Sequence, residues 1–204
     1  TRYWRDWSSD VCSSDLSIIL GLIFLTSFSS TPALSVEEIC LSPEEKKLYE
    51  LIMEYRKSKK LKSIPYSAKL TKVAQTHVRD LMENYDYDNK GECNPHSWSN
   101  KGNWSACCYT SDHAQASCMW DKPKEISDYE GNGFEIAYYS SGGANAVEGL
   151  EGWKKSPGHN PLLINSGTWS NLEWKGIGIG IYGQYGVVWF SDGEEDSSKI
   201  VVCQ

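Results

Sequence analysis

The chain lacks several features that mark whole classes of protein. Acidic side chains outnumber basic ones, 27 to 20, so no positive excess favours nucleic acid or an anionic membrane as a partner. No Cys-x-x-Cys pair suggests a cysteine-held metal cluster, and no Gly-x-Ser-x-Gly motif suggests a serine hydrolase. The apolar stretch over residues 17–28 is too short to span a bilayer, which takes about 20 residues. We therefore expect no nucleic-acid partner and no stable membrane span in the mature form.

The first 35 residues are predicted to lie outside the folded domain. Residues 6–16 read like a sequencing adapter translated in frame, so residues 1–16 are interpreted as an artefact. Residues 17–35 suit a signal peptide, with an apolar core, small residues after it and a cleavage site at Ala33-Leu34-Ser35. An uncleaved anchor is the alternative. We predict a single domain over residues 36–204 of a protein that is secreted into the extracellular space or the periplasm.

The cysteines support export. Six of them remain after the predicted artefact is removed: Cys40, Cys93, Cys107, Cys108, Cys118 and Cys203. An even number in an exported chain predicts up to three disulfides, and the sequence leaves their connectivity open. Cys107 and Cys108 are adjacent, and a bridge between them would be strained, so each is expected to pair elsewhere. Four cysteines between residues 93 and 118 predict a long loop held by disulfides.

Helix signals dominate the first part of the domain. Ser42-Pro43-Glu44-Glu45 is typical of a helix start, because it combines a capping serine, an early proline and acidic residues in the first turn. A second helix is expected from Ser67, and a third from Ala144 to Lys155. Residues 85–131 have little apolar periodicity and are expected to form the polar loop.

Strand signals dominate the last third of the chain. From Gly176 to Gly183, glycines alternate with larger, mostly branched apolar residues, which predicts a strand that another segment approaches closely on its glycine face. Val187–Phe190 is expected to be a second strand and Lys199–Cys203 a third. Helices followed by an antiparallel meander predict a layered α+β domain rather than alternating βαβ units.

Two histidines and one glutamate stand in distinctive local sequences: His96 in NPHS, Glu135 in GFEIA and His159 in WKKSPGHN. Neutral imidazoles and a carboxylate suit zinc and similar cations, so His96, His159 and Glu135 are the candidate ligands of zinc or another divalent cation. Each also has a structural interpretation. His96 would be a loop histidine bonded to backbone, Glu135 a carboxylate on an exposed strand face, and His159 a histidine at a helix end.

The two other histidines are weaker candidates. His77 lies on an apolar helix face beside Val73 and Leu81, so we expect a core histidine with its hydrogen bonds satisfied rather than a ligand. His113 lies near three cysteines in no distinctive local sequence and remains an alternative ligand.

The order and local sequences of the three candidates resemble the CAP superfamily of cysteine-rich secretory, antigen 5 and pathogenesis-related proteins, most closely its bacterial branch. The His96-Ser97 pair, the GFEIA segment and the SPGHN segment carry the resemblance, although Ile136 stands where asparagine is usual. The resemblance implies a CAP-type α-β-α sandwich with disulfide-held loops over roughly residues 43–203. Ser156 stands where many members have a second pocket glutamate, so three of four pocket residues carry over.

The resemblance also implies a function. It favours a secreted binding protein whose surface cleft, with His96, Glu135 and His159, takes a divalent cation or a small, lipid, glycan or protein ligand. The alternative is a metal-assisted hydrolase acting on envelope material or peptides, with Glu135 as the candidate base. A third interpretation makes the three side chains a hydrogen-bond network that holds the loops.

Overall fold

The computed structural model describes residues 39–85, 92–193 and 198–204, so the predicted artefact and signal peptide lie outside the described residues. The described ranges contain helices and strands in the order α1 Pro43–Ser58, α2 Ala68–Asn84, α3 Ala116–Ser127, β1 Phe134–Tyr139, α4 Ala146–Lys155, α5 Asn160–Leu163, β2 Gly176–Tyr182 and β3 Tyr185–Ser191. A single 3₁₀ turn, Gly167–Trp169, precedes β2. All three predicted helices are present.

Helix α1 begins as the sequence predicts. The Ser42 side chain accepts a hydrogen bond from the backbone of Glu45, and the Glu45 side chain accepts one from the backbone of Ser42, which makes a capping box. Leu48 and Ile52 are fully buried on the inner face of the helix. Arg56, near its C-terminal end, donates to the carbonyl of Leu163 at 2.7 Å and so holds the C-terminal end of α5.

The three strands form one antiparallel sheet in the order β1-β3-β2. Glu135 of β1 and Gly178 of β2 both lie opposite Trp189 of β3. Because side chains alternate along a strand, the sheet separates two sets of buried residues. Ile136 and Val188 pack with α1 and α4, whereas Trp189 packs with α2.

The domain is therefore the expected α+β sandwich, with α2 on one face of the sheet and α1 and α4 on the other. The glycine face of β2 is approached closely, as predicted. A Cβ on Gly178 would lie 2.1 Å from the backbone carbon of Leu70, and one on Gly180 would lie 2.5 Å from that of Ala74. The absent side chains let the backbone of α2 lie directly against the sheet, which fixes the position of every α2 residue that faces it.

Two predicted features of the topology are wrong. The polar loop expected over residues 85–131 contains helix α3, which has no side-chain cap and carries Pro123 within it. The third strand of the sheet is Phe134–Tyr139 and not Lys199–Cys203. In the latter segment Val202 makes an isolated parallel bridge with Leu41, and both Ile200 and Val202 are exposed.

The six cysteines form three disulfides, as expected: Cys40–Cys203, Cys93–Cys108 and Cys107–Cys118. The first joins the segment before α1 to the C-terminal segment. The other two hold the connection between α2 and α3, so the prediction of a disulfide-held loop is confirmed. Within the described ranges, no helix has both the length and the apolar character needed to cross a bilayer.

Candidate functional site

The candidate site lies where four segments meet. His77 lies on α2 and faces the sheet, Glu135 is the second residue of β1, His96 lies in the disulfide-held loop, and His159 follows α4. Trp153 of α4 donates its indole N–H to the carbonyl of Ala137 in β1 at 3.1 Å. This bond ties the helix that precedes His159 to the strand that carries Glu135.

The loop that carries His96 is fixed by several bonds beside its disulfides. Trp98 and Cys107 exchange backbone hydrogen bonds across the loop, and the backbone N–H of Asn94 donates to the carbonyl of Tyr109 at 2.8 Å. The side-chain oxygen of Asn94 accepts from the backbone N–H of His96 at 3.0 Å. A histidine held in this way presents its ring in one direction, which a binding site requires.

Glu135 lies between two histidines, and none of its side chain is exposed. Its Oε1 lies 2.5 Å from Nδ1 of His77, and its Oε2 lies 2.8 Å from Nδ1 of His96. Burial alone would raise the pKa of Glu135. The charge of His77 and the hydrogen bonds from His77 and His96 outweigh burial together, so the pKa is lowered and the carboxylate stays ionised.

His96 reaches the surface, and 17 % of its side chain is exposed. Glu135 takes its Nδ1, while its Nε2 makes no hydrogen bond with any described residue. The rings of Tyr109 and His96 contact each other in an edge-to-face arrangement, with their centroids 5.5 Å apart. His96 is therefore anchored by Nδ1, and its Nε2 is not occupied by any described residue.

His159 is half-buried and lies near His96. Ser156, the residue at the position of the usual second glutamate, accepts a hydrogen bond from the backbone N–H of His159 through its hydroxyl at 3.3 Å. The next residue, Asn160, accepts from the hydroxyl of Tyr55 at 2.8 Å. Burial, and after it the charge of His96, lower the pKa of His159 below its ordinary value of 6.5, so the imidazole is neutral at pH 7.

The structure thus brings together the three predicted residues, with Glu135 between His77 and His96. Both oxygens of Glu135 already accept hydrogen bonds from histidines. Within residues 39–85, 92–193 and 198–204, no three His, Cys, Asp or Glu side chains are grouped as metal ligands. Coordination by His96, His159 and Glu135 together stays a prediction.

The same geometry bears on the alternative role of Glu135 as a general base. A general base works best with a pKa near the working pH and needs an oxygen free to take a proton. Glu135 has a lowered pKa, no exposed side-chain surface and two occupied oxygens. This arrangement suits an orienting group better than a base.

Sequence reasoning missed the part that His77 plays. It is a fully buried core histidine, as expected, but one of its hydrogen bonds is to the candidate site itself. The sequence does indicate that both residues need partners. A histidine on an apolar helix face and a glutamate between Phe134 and Ile136 each need a buried polar partner. Each is the partner of the other.

Comparison with known proteins agrees with this fold. A profile of CAP, the Cysteine-rich secretory protein family, matches residues 49–203, which is most of the chain. The chain belongs to the CAP family. A search of curated proteins found no match.

Among solved structures, the CAP domain is similar to an extracellular protein containing a SCP domain from Bacillus anthracis str. Ames, with a TM-score of 0.52 and 16 % identity. The similarity covers 72 % of this chain and 40 % of that one. An outer surface protein from Borrelia burgdorferi has a TM-score of 0.49 and 20 % identity, over 75 % of this chain and 93 % of that one. A cysteine-rich secretory protein from Staphylococcus aureus subsp. aureus Mu50 has a TM-score of 0.46 and 17 % identity, over 73 % and 38 %. At these identities the likeness shows the fold alone.

Proposed function

We propose that this CAP domain is an exported binding protein in which His96 and His159 bind a divalent cation of the zinc type. Glu135 orients His96 and is not a ligand in this proposal. The contact between Glu135 and His96 is the observation that supports this proposal. Glu135 occupies Nδ1 of His96 and leaves Nε2 for a ligand beside His159. A carboxylate that accepts from one nitrogen of a metal-binding imidazole fixes the ring and makes the other nitrogen more basic.

His96 and His159 supply only part of the ligand set of such a cation. Neutral imidazole is a ligand that zinc prefers, and the lowered pKa of His159 keeps that ring neutral at pH 7. Two protein nitrogens leave further coordination positions on a tetrahedral ion. Those positions would take water or an oxygen from a small-molecule, lipid, glycan or protein ligand.

Export is part of the same proposal. Three disulfides in the described chain favour an oxidising compartment. The Bacillus protein with the similar fold is described as extracellular. Residues 17–35 would be the signal peptide that directs export, with the mature chain beginning at Val36.

Zinc titration by calorimetry tests the proposal. The disulfide-bonded protein is compared with a His96→Ala/His159→Ala double variant and with His113→Ala, a matched loss of one imidazole outside the pair. We expect saturable binding by the wild type and by His113→Ala, and no saturable binding by the double variant. A wild type that binds no zinc, or a double variant that binds it as well as the wild type, would overturn the proposal.

A further inference from the structure

A cleft of about 500 Å³ lies between α2, the start of α1 and the end of β2. Its lining includes Lys72, Gln75, Thr76 and Arg79 of α2 and Tyr182 of β2. The four α2 residues follow the spacing i, i+3, i+4 and i+7, so they lie on one face of the helix. None of the residues that line the cleft belongs to the candidate site. The cleft therefore has the size of a small-molecule site and is separate from the site already described.

Two cationic side chains, Lys72 and Arg79, line this cleft. Both are exposed, and neither forms an ion pair with any residue that the structure describes. The guanidinium carbon of Arg79 lies 4.7 Å from the centre of the Tyr182 ring, and the attraction between cation and ring helps to hold Arg79 in place. Seven residues of helix separate the two cations by about 10 Å along the axis. The spacing suits two acidic groups on one ligand.

The neutral side chains between the two cations offer hydrogen-bond acceptors. Gln75 donates through Nε2 to the carbonyl of Cys40 at 2.8 Å and to Oε2 of Glu45 at 3.1 Å. The hydroxyl of Thr76 donates to the carbonyl of Lys72 at 2.7 Å. Because these donors are used within the protein, the side-chain oxygens of Gln75 and Thr76 are left to accept from a ligand. Hydroxyl groups are the donors that such oxygens take.

Glu45 also lines the cleft, but its carboxylate is bound within the protein. Only 3 % of the residue is exposed. Its Oε2 accepts from the backbone N–H of Ser42 at 2.7 Å and from Gln75, and its Oε1 accepts from the backbone N–H of Ile181 at 3.0 Å. Hydrogen bonds of this kind compensate the negative charge. Glu45 therefore joins α1 to α2 and β2 and leaves the two cations for a ligand.

We propose that this cleft binds an acidic oligosaccharide, a chain of hydroxyl-bearing sugar rings with carboxylate groups. Lys72 and Arg79 bind the carboxylates. Gln75 and Thr76 accept from the hydroxyls, and the ring of Tyr182, which is 39 % exposed, contacts the apolar face of a sugar ring. An acidic peptide would supply the charges but few hydroxyls, so the acceptors favour the sugar. The inference goes beyond the proposed function, because it involves neither the divalent cation nor its ligands.

Calorimetric titration with tetragalacturonate in the presence of a metal chelator tests the proposal. Acidic side chains outnumber basic ones, 27 to 20, so the overall charge does not attract this ligand and the two local cations must. We expect saturable binding that weakens as salt is added. The exposed double variant Lys72→Gln/Arg79→Gln should raise the dissociation constant at least about 10-fold. Lys57→Gln/Lys199→Gln removes the same charge outside the cleft and should leave the constant unchanged.

Maltotetraose, a neutral sugar of the same length, should not bind. The proposal would be overturned by a wild type that does not bind tetragalacturonate, by equal binding of maltotetraose, or by equal losses in the two double variants. Binding that appears only in Glu37→Gln/Glu38→Gln would overturn it too, because the acidic residues before Ile39 would then be the occupant of the cleft.

The outcome is independent of the cation site. His96→Ala/His159→Ala, which should lose zinc, should bind tetragalacturonate as tightly as the wild type does. Loss of sugar binding in this variant would place the ligand at the candidate site and overturn the present inference. Sugar binding without zinc binding by the wild type would refute the proposed function and leave this inference standing.

Discussion

At the scale of single residues, the candidate site contains a buried carboxylate whose ionised form depends on its partners. Burial opposes its charge, yet the charge of His77 and the hydrogen bonds from His77 and His96 keep the pKa of Glu135 low. Breaking a buried ion pair by removing one partner is costly, because the other charge remains buried without compensation. The side chain therefore serves stability as well as the orientation of His96.

The substitution Glu135→Gln separates charge from shape. It leaves a side chain of nearly the same size but places the His77 ring beside a neutral amide. We expect the free energy of unfolding at pH 7 to fall by about 3–5 kcal/mol, measured by urea denaturation. The matched control is Glu148→Gln on the exposed side of α4, which should change it little. An equally small effect at both positions would show that Glu135 is not part of a buried ion pair.

The same carboxylate predicts how stability depends on pH. Its pKa is lower in the folded protein than the ordinary value of 4.5 that applies after unfolding. The unfolded chain therefore binds the proton more readily, and the stabilisation is present above about pH 4.5 and is lost as the pH falls through the folded pKa. The difference in unfolding free energy between wild type and Glu135→Gln should shrink over that range. A difference that stays constant as the pH falls would contradict this assignment.

The sequence predicted the residues of the site better than their roles. His96, Glu135 and His159 lie close together, as their specific local sequences and their order along the chain predicted. The sequence indicates that a buried His77 needs a polar partner, but apolar periodicity does not identify that partner across the sheet. That partner depends on the register of α2 against β1, which a single sequence does not encode in any local pattern.

At the scale of elements, the predictions failed where local signals were weak or misleading. Helix α3 has no side-chain cap, no acidic residue in its first turn and an internal proline, so nothing local marks it as a helix. The β-branched run Ile200–Val202 has a strong strand pattern, but among the described residues its pairing is a single parallel bridge between Val202 and Leu41. Strand formation depends on an available partner, whereas a helix satisfies its own backbone.

The contact between α2 and β2 was predicted from glycine alternation, and a pair of glycine substitutions tests it. Gly178→Ala places a methyl group 2.1 Å from the backbone of α2, which cannot move aside as a flexible side chain could. We expect a loss of about 3 kcal/mol in the free energy of unfolding. Gly152→Ala in α4, where a Cβ would meet nothing within 4 Å, should instead raise it by up to about 1 kcal/mol. Urea denaturation of both variants should give opposite signs, and a stable Gly178→Ala variant would show that α2 lies farther from the sheet.

At the scale of the whole molecule, the candidate site depends on the fold rather than on any one segment. His77 and His159 are 82 positions apart in the sequence, and each of the four site residues belongs to a different segment. Two disulfides that close loops of very different length stabilise this arrangement. Cys40–Cys203 closes nearly the whole domain, whereas Cys93–Cys108 closes the short loop that carries His96.

The two disulfides should therefore separate global stability from the order of the site. Their sequence separations are 163 and 15, and loop-closure entropy alone makes the longer one more stabilising by roughly 2 kcal/mol. We expect Cys40→Ser/Cys203→Ser to lower the free energy of unfolding more than Cys93→Ser/Cys108→Ser does. The Cys93→Ser/Cys108→Ser variant should weaken zinc binding more, because it frees the loop that presents His96. The two variants should rank in opposite orders for the loss of unfolding free energy, measured by urea denaturation, and for the loss of zinc affinity, measured by calorimetry. The same order in both measurements would mean that hydrogen bonds hold the loop in place without the Cys93–Cys108 bridge.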